Sequence, residues 1–323
     1  MSLDSYESIY QQFSAVSAEA WKEKIIKDLR GDAFDKLIWH SKEGIEVLPF
    51  YTKENNLNYQ LQIPEKQTKG WQIIERIIVD DILTANKEAL HALENGATAL
   101  VFDLQQMPFS PAEIECLINN ILVDIAPVTF EKYPSEMKFF LESAVKNSCP
   151  EIIIIPQQKT ITEELVFTLQ QGVQKKTTYF SFSVGQNYFF EIAKLRAFRW
   201  LWKQVCETKN QPFSIFIQCE TSLGNFSKEE ENSNILRNTT SAMSAILGGC
   251  DSLIVNSHDA AKTNFGKRIA RNIHHILQNE SYFSDSEIST EDAAKGSYYI
   301  EYLTYQLCKK CWNRLSESGF AGL

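Results

Sequence analysis

The chain has 323 residues, a formal net charge of −9 at pH 7 and 44% hydrophobic residues, so it can bury a large core in one or two domains. Its acidic balance argues against a nucleic-acid partner, because phosphate binding needs clustered lysines and arginines. No apolar run approaches the roughly 20 residues that a membrane helix needs, and the first ten residues lack the features of a signal peptide. The sequence therefore predicts a cytoplasmic protein without a membrane partner, with a processed organelle protein as the alternative.

The cysteines predict reduced thiols and no metal site. There are seven, an odd number at irregular spacing, which does not suit a disulfide framework. Cys308 and Cys311 form a C-x-x-C, but no second pair and no nearby histidine could complete a zinc site. The pair falls late in a helical pattern, so a plain helix face is the favoured interpretation.

Residues 1–70 are predicted to be an N-terminal arm and extended segment. A helix is expected to begin after Ser17, a good cap, and to stop near Gly31, with apolar residues at helical spacing between them: Trp21, Ile25, Ile26 and Leu29. This helix would pack either on the rest of its own chain or on a partner subunit, and the sequence does not decide between these.

Residues 71–323 alternate between strand and helix patterns. Strands are predicted over 73–79, 97–104, 128–131, 151–155, 179–184, 213–219 and 252–255, and helices over 83–93, 111–122, 134–146, 162–174, 188–207, 234–247, 265–279 and 299–317. About seven such units favour a TIM-type (β/α)8 barrel with one βα unit reduced or missing between Phe130 and Tyr179. No G-x-G-x-x-G follows a strand, which weakens a dinucleotide-binding alternative.

Several stretches together resemble the methylmalonyl-CoA mutase family, and they cover nearly the whole chain. Near the start are Glu43-Gly44-Ile45 and Tyr51-Thr52. Later stretches are Glu191-Ile192-Ala193-Lys194-Leu195-Arg196-Ala197 followed by Arg199, then Cys219-Glu220-Thr221-Ser222, Ala245-Ile246-Leu247-Gly248-Gly249, Arg268-Ile269-Ala270-Arg271-Asn272 and Gly296-Ser297-Tyr298-Tyr299. The resemblance implies a barrel that, in a catalytic subunit, receives acyl-CoA along its axis, with adenosylcobalamin held by a separate domain. That cofactor would start the radical isomerisation of methylmalonyl-CoA to succinyl-CoA.

This sequence departs from the catalytic pattern that the resemblance implies. None of its five histidines stands in the cobalt-ligating D-x-H-x-x-G motif, so the cobalamin-binding domain is expected to be absent from this chain. Arg76 stands where the family has an active-site tyrosine, and aromatic Tyr179 and Phe216 replace arginines. Gln218 and Glu220 replace a histidine and a glutamine, and Ser241 replaces a glutamate. The stretch that would carry the catalytic histidine falls in the reduced unit.

We therefore predict no catalytic, cofactor-binding or metal-binding residue in this chain. The candidates for lining a remnant cavity lie at predicted strand ends: Arg76, Asp103, Gln218, Glu220 and Ser222. Because a charged side chain in an occluded site needs a partner, an Arg76–Glu220 pair is conceivable. His258 follows the last strand, where a structural role is favoured over a functional one.

Three functional hypotheses follow from the resemblance and the departures. The first is a small, non-catalytic subunit of a heterodimeric mutase that stabilises a large catalytic subunit, which would bind the adenosylcobalamin. The second is an active mutase barrel that works with a separate cobalamin-binding chain. The third is an acyl-CoA-binding module without chemistry, which the loss of both arginines disfavours.

Overall fold

The computed structural model describes residues 16–55, 61–145, 153–154, 159–259, 263–283 and 291–319. The chain forms two compact units, Met1–Gln60 and Leu61–Leu323. Residues 61–70, which the sequence analysis grouped with the arm, therefore lie in the second unit. Among the described residues, no helix is long and apolar enough to cross a membrane.

The first unit contains the predicted helix, α1, over Ala18–Asp28. The Ser17 side chain accepts a hydrogen bond from the backbone N–H of Ala20 at 3.2 Å, which confirms the expected cap. A short antiparallel ladder pairs β1 (Trp39–His40) with β2 (Glu46–Val47). No residue of α1 is buried, so its apolar side chains remain largely in contact with solvent.

The second unit alternates strands and helices as predicted. Its strands are β3 (Gln72–Ile78), β4 (Ala99–Asp103), β5 (Val128–Glu131), β6 (Ile153–Ile154), β7 (Tyr179–Val184), β8 (Phe216–Thr221) and β9 (Ser252–Ile254). Its helices are α2 (Ile82–Glu94), α3 (Pro111–Leu117), α4 (Lys138–Ala144), α5 (Ile161–Lys175), α6 (Tyr188–Thr208), α7 (Ser233–Leu247), α8 (Asn264–His275) and α9 (Tyr298–Glu317).

The strands form one parallel sheet in the order β5-β4-β3-β9-β8-β7-β6. The first strand of the unit, β3, pairs with both the second, β4, and the last, β9, which is the neighbour relation of a barrel. The sheet ends at β5 and β6, the interval where the sequence predicted a reduced unit. The irregular TIM-type fold class is thus confirmed, while most of the strand expected over 151–155 lies outside the described residues.

The two faces of the sheet differ in size and polarity. One face packs large apolar side chains against the helices, including Ile77, Leu100 and Phe102 of the strands with Ile114 and Leu141 of the helices. The opposite, interior face has a smaller apolar cluster, made of Ile74, Ala99, Val101 and Ile254. Successive side chains of a strand alternate between faces, so the residues two positions further along, such as Arg76 and Asp103, belong to the interior.

Some element boundaries differ from the sequence prediction. The helix expected over 111–122 ends at Leu117, and Asn120 soon afterwards has a left-handed backbone with φ of 62°. Strand β8 begins at Phe216, whose N–H donates to Thr178 O at 2.8 Å, rather than at 213. The strand also ends later than expected, at Thr221, which places Glu220 inside the strand with Gln218, both on the interior face.

Cys308 and Cys311 are buried in α9, as the helix-face interpretation predicted. Their thiols point to the carbonyl oxygens of Ala197 and Thr162, each at 3.8 Å. Helix α9 thus packs on both α6 and α5 through its cysteine face.

A buried arginine connects α6 to the C-terminal part of the unit. Arg196 is 1% exposed and donates from Nε to Asp292 at 2.9 Å, from Nη1 to Thr304 at 2.8 Å and from Nη2 to Glu301 at 3.0 Å. Two carboxylates and a hydroxyl therefore surround one guanidinium, which compensates the cost of removing these charges from water.

We expect Arg196→Met to lower the free energy of unfolding by about 3–5 kcal/mol, because it leaves the buried Glu301 and the largely buried Asp292 without their cation. Urea unfolding of the full chain measures this. The matched control is Arg314→Met, since Arg314 is half exposed and pairs with Glu163 at 3.2 Å, an arrangement worth under about 1 kcal/mol. Equal losses in the two variants would contradict the assigned role of Arg196.

Candidate functional site

The candidate site lies at the carboxyl ends of the strands, on the interior face of the sheet. Three charged side chains meet there, Arg76 of β3, Glu131 of β5 and Glu220 of β8, and we call them the interior charge cluster. These strands are separated in the sheet by β4 on one side of β3 and by β9 on the other. The cluster therefore joins parts of the sheet that are not direct neighbours.

The guanidinium of Arg76 is the centre of the cluster. Its Nη1 donates to Glu220 Oε1, and its Nη2 lies 3.2 Å from Glu131 Oε2 and 3.4 Å from Glu131 Oε1. The Asn256 amide also donates to Glu220 Oε1, at 2.9 Å. The conceivable Arg76–Glu220 pair is thus present, and Glu131 is a second partner that the sequence analysis missed.

Burial and charge act against each other in this cluster. Burial raises the pKa of Glu131 above its ordinary value, and the attraction of Arg76 offsets this only in part. Burial alone would lower the pKa of Arg76, but the attraction of Glu220 and Glu131 outweighs burial and raises that pKa. The guanidinium therefore stays charged. Two carboxylates share one cation, which leaves the cluster with a formal charge of −1 when both are ionised.

Asp103 is held apart from the cluster by its own ion pair. Its Oδ2 lies 2.6 Å from Lys132 Nζ, and its Oδ1 accepts from the backbone N–H of Gln105 at 3.1 Å. Asp103 is opposite Glu131 in the register of β4 and β5, and its pair with Lys132 is formally neutral. The formal charge of −1 at this end of the sheet therefore comes from the interior charge cluster, and it is unfavourable for a polyanionic ligand.

Gln218 lies deeper in the interior than the cluster. It is 1% exposed, and its register partner on β9 is the fully buried Ser252. Gln218 Nε2 and Ser252 Oγ have no hydrogen-bond partner within the described residues, and the same holds for Arg76 Nε. Further towards the amino ends of the strands, the rings of Tyr179 and Phe216 pack together with centroids 5.2 Å apart.

Two other candidates lie outside the interior charge cluster. Ser222 follows β8, and its hydroxyl accepts from the backbone N–H of Gly224 at 3.2 Å, which caps a short helical turn. His258 is buried, its ring stands edge-on to Phe265, and its Nδ1 has no partner among the described groups. The backbone carbonyl of His258 accepts from Asn234 Nδ2 at 3.1 Å, so this loop is fixed to α7.

In the D-x-H-x-x-G motif a histidine ligates the cobalt of adenosylcobalamin. None of the five histidines of this sequence stands in that motif. Burial lowers the pKa of His274 to about 3, and its neutral Nδ1 accepts from Trp71 Nε1 at 3.1 Å, which is a packing role. In the described part of the chain, no group of three or more His, Cys, Asp or Glu side chains could hold a metal ion.

Comparison with known proteins shows which family this chain resembles. The family model described as methylmalonyl-CoA mutase matches residues 164–322. The methylmalonyl-CoA mutase small subunit of Porphyromonas gingivalis is 28% identical over an alignment that covers 95% of this chain and 63% of that protein. The chain belongs to the methylmalonyl-CoA mutase family.

Further relatives agree with this assignment. The mitochondrial methylmalonyl-CoA mutase of Bos taurus is 36% identical over 93% of this chain and 55% of its own length. The methylmalonyl-CoA mutase large subunit of Streptomyces virginiae is 35% identical over 49% of this chain and 24% of its own length. This chain thus spans less than two thirds of each of these relatives.

Burial raises the pKa of Glu131 above its ordinary value of about 4.5, so the carboxyl ionises less readily in the folded than in the unfolded protein. The folded protein therefore loses stability as the pH rises from about 4.5 through the raised pKa of Glu131. Glu131→Gln removes this loss. We therefore expect the stability of the Gln variant, relative to the parent, to increase between acid and neutral pH, as measured by urea unfolding across that range.

Glu113→Gln is the control with the opposite sign. Hydrogen bonds from the backbone and side chain of Ser110 lower the pKa of Glu113, so that this residue contributes stability that appears as the pH rises. The relative stability of that variant should fall with rising pH. A falling profile for Glu131→Gln as well would mean that Arg76, and not burial, dominates the environment of Glu131.

Proposed function

We propose that this protein is the small, non-catalytic subunit of a heterodimeric, adenosylcobalamin-dependent methylmalonyl-CoA mutase. It stabilises a large subunit that binds the cofactor and isomerises methylmalonyl-CoA to succinyl-CoA. Support for two kinds of subunit comes from the names of the Porphyromonas gingivalis and Streptomyces virginiae relatives. The resemblance to the small subunit extends over almost the whole chain.

The observation that carries the proposal is the interior charge cluster. A catalytic mutase barrel admits acyl-CoA along its axis and must keep a radical away from reactive side chains and water. Here Arg76, Glu131 and Glu220 bind one another at the mouth of that interior. Their net formal charge of −1 opposes entry of the phosphates and carboxylate of methylmalonyl-CoA.

The position of the two aromatic substitutions supports the same conclusion. Tyr179 and Phe216 are in register on β7 and β8 and pack ring against ring. Arginines at these positions could form bidentate pairs with a carboxylate or phosphate, whereas the aromatic rings cannot. Where the family has arginines that could bind a ligand, this interior thus has two aromatic rings that pack on each other.

The arm provides a surface suited to the large subunit. In α1 the side chain of Trp21 is 52% exposed and that of Ile26 is 46% exposed, and in the same unit Trp39 is 47% exposed. Large apolar side chains left in solvent at this density are typical of an interface, in which aromatic residues are enriched. The proposal therefore assigns part of the subunit interface to the arm.

Co-expression of the full chain with a large mutase subunit from the same organism tests the proposal. We expect the two to co-purify, and Trp21→Ala combined with Ile26→Ala to reduce the recovered large subunit at least about tenfold, which corresponds to about 1.4 kcal/mol. The matched control is Leu236→Ala, which removes an exposed apolar side chain of the barrel unit and should leave recovery unchanged.

Two results would contradict this proposal. One is the failure of the chains to co-purify under any condition in which both are folded. The other is turnover of methylmalonyl-CoA by this chain with a free cobalamin-binding domain, which would instead support the active-barrel alternative. Calorimetric binding of methylmalonyl-CoA without turnover would support the acyl-CoA-binding alternative.

A further inference from the structure

The interior charge cluster has the composition of an anion-binding site that is already occupied. A guanidinium provides five N–H donors in a planar fork, which matches carboxylates and other oxyanions. In this protein the two Nη atoms of Arg76 bind Glu220 and Glu131, which come from strands on opposite sides of β3. Both anions are side chains of the same chain.

One N–H donor of this guanidinium has no partner among the described residues. Arg76 Nε is buried and bonds to nothing among the described residues. On the same interior face, Gln218 Nε2 and Ser252 Oγ are buried and also lack partners, and the Gln218 side chain is 1% exposed. Buried polar groups are normally satisfied, so the unpaired Nε of Arg76 is a donor that an acceptor could use.

The neighbouring polar side chains, Lys132 and Asn256, have partners of their own and do not take the role of Arg76. Lys132 is paired with Asp103 at 2.6 Å and is more than half exposed, so it lies at the rim. Asn256, which donates to Glu220 at 2.9 Å and to Thr221 O at 2.6 Å, is fixed by the backbone of β8. Arg76 is therefore the central charge of the interior, and its partners determine what the interior accepts.

We propose that the barrel retains a latent site for a small oxyanion or carboxylate, centred on Arg76 and occupied by Glu131 and Glu220. The two glutamates take the place of an external anion, tie β5 and β8 to β3, and exclude anionic ligands from the interior. Removing their charges frees the guanidinium and opens the site. This site does not depend on the role of the chain as a mutase subunit, because it concerns the isolated barrel.

The test replaces the internal anions by neutral amides of similar size. Three full-length proteins are compared: the parent, Glu131→Gln/Glu220→Gln, and the same double variant that also carries Arg76→Gln. Each is titrated with sodium sulfate against sodium chloride at equal ionic strength, and the unfolding temperature is measured. The triple variant is the matched control, because it keeps both amides and lacks only the guanidinium.

We expect sulfate to raise the unfolding temperature of the double variant by about 2–4 °C more than that of the parent or the triple variant, in a saturable manner. Calorimetric titration should then detect sulfate binding to the double variant only. An equal response of the double and triple variants would overturn the proposal, and so would a saturable response of the parent.

If circular dichroism shows that the double variant is unfolded, single replacement of Glu220 provides the same test. The Glu220→Gln protein is then compared with Arg76→Gln/Glu220→Gln. A larger sulfate response in the protein that retains Arg76 supports the latent site, and equal responses refute it. Co-purification with a large subunit plays no part in either comparison, so the two proposals fail independently.

Discussion

Arg76 with its two carboxylates is the interaction on which this account depends. A buried guanidinium costs several kcal/mol to remove from water unless anions surround it. Glu220 on β8 and Glu131 on β5 provide those anions, and the buried Glu131 in turn needs the charge of Arg76. Each member requires the others, so the interior can hardly keep this cluster and also accept a polyanionic substrate.

Other buried charged side chains of the second unit also lie beside a group of opposite charge. On α6, Lys194 lies 2.7 Å from Glu191 and 3.3 Å from Glu164, and Arg199 lies 3.4 Å from Asp251. Glu191, Lys194, Arg196 and Arg199 all lie in the stretch 191–199, which resembles the mutase family. Their partners are structural, so the scaffold that carries the resemblance can persist while strand-end side chains change.

The sequence predicted the fold better than the site. Strand periodicity located β5 and β7 to the residue, because short continuous apolar runs bounded by turns have few alternatives. Strand β8 was displaced, because the register with β7 and not the local pattern decides where it begins. Glu131 was missed although, like Asp103, it ends a strand, since only the curl of the sheet brings it to Arg76.

We propose that this barrel binds its own charges in place of acyl-CoA. The most direct measurement is an experimental structure of this chain in complex with a large mutase subunit, determined in the presence of adenosylcobalamin and a non-reactive acyl-CoA analogue. The account predicts cofactor and thioester in the large subunit alone, with the guanidinium of Arg76 still bridging Glu131 and Glu220. Thioester density along the axis of this barrel, with that bridge broken, would contradict it.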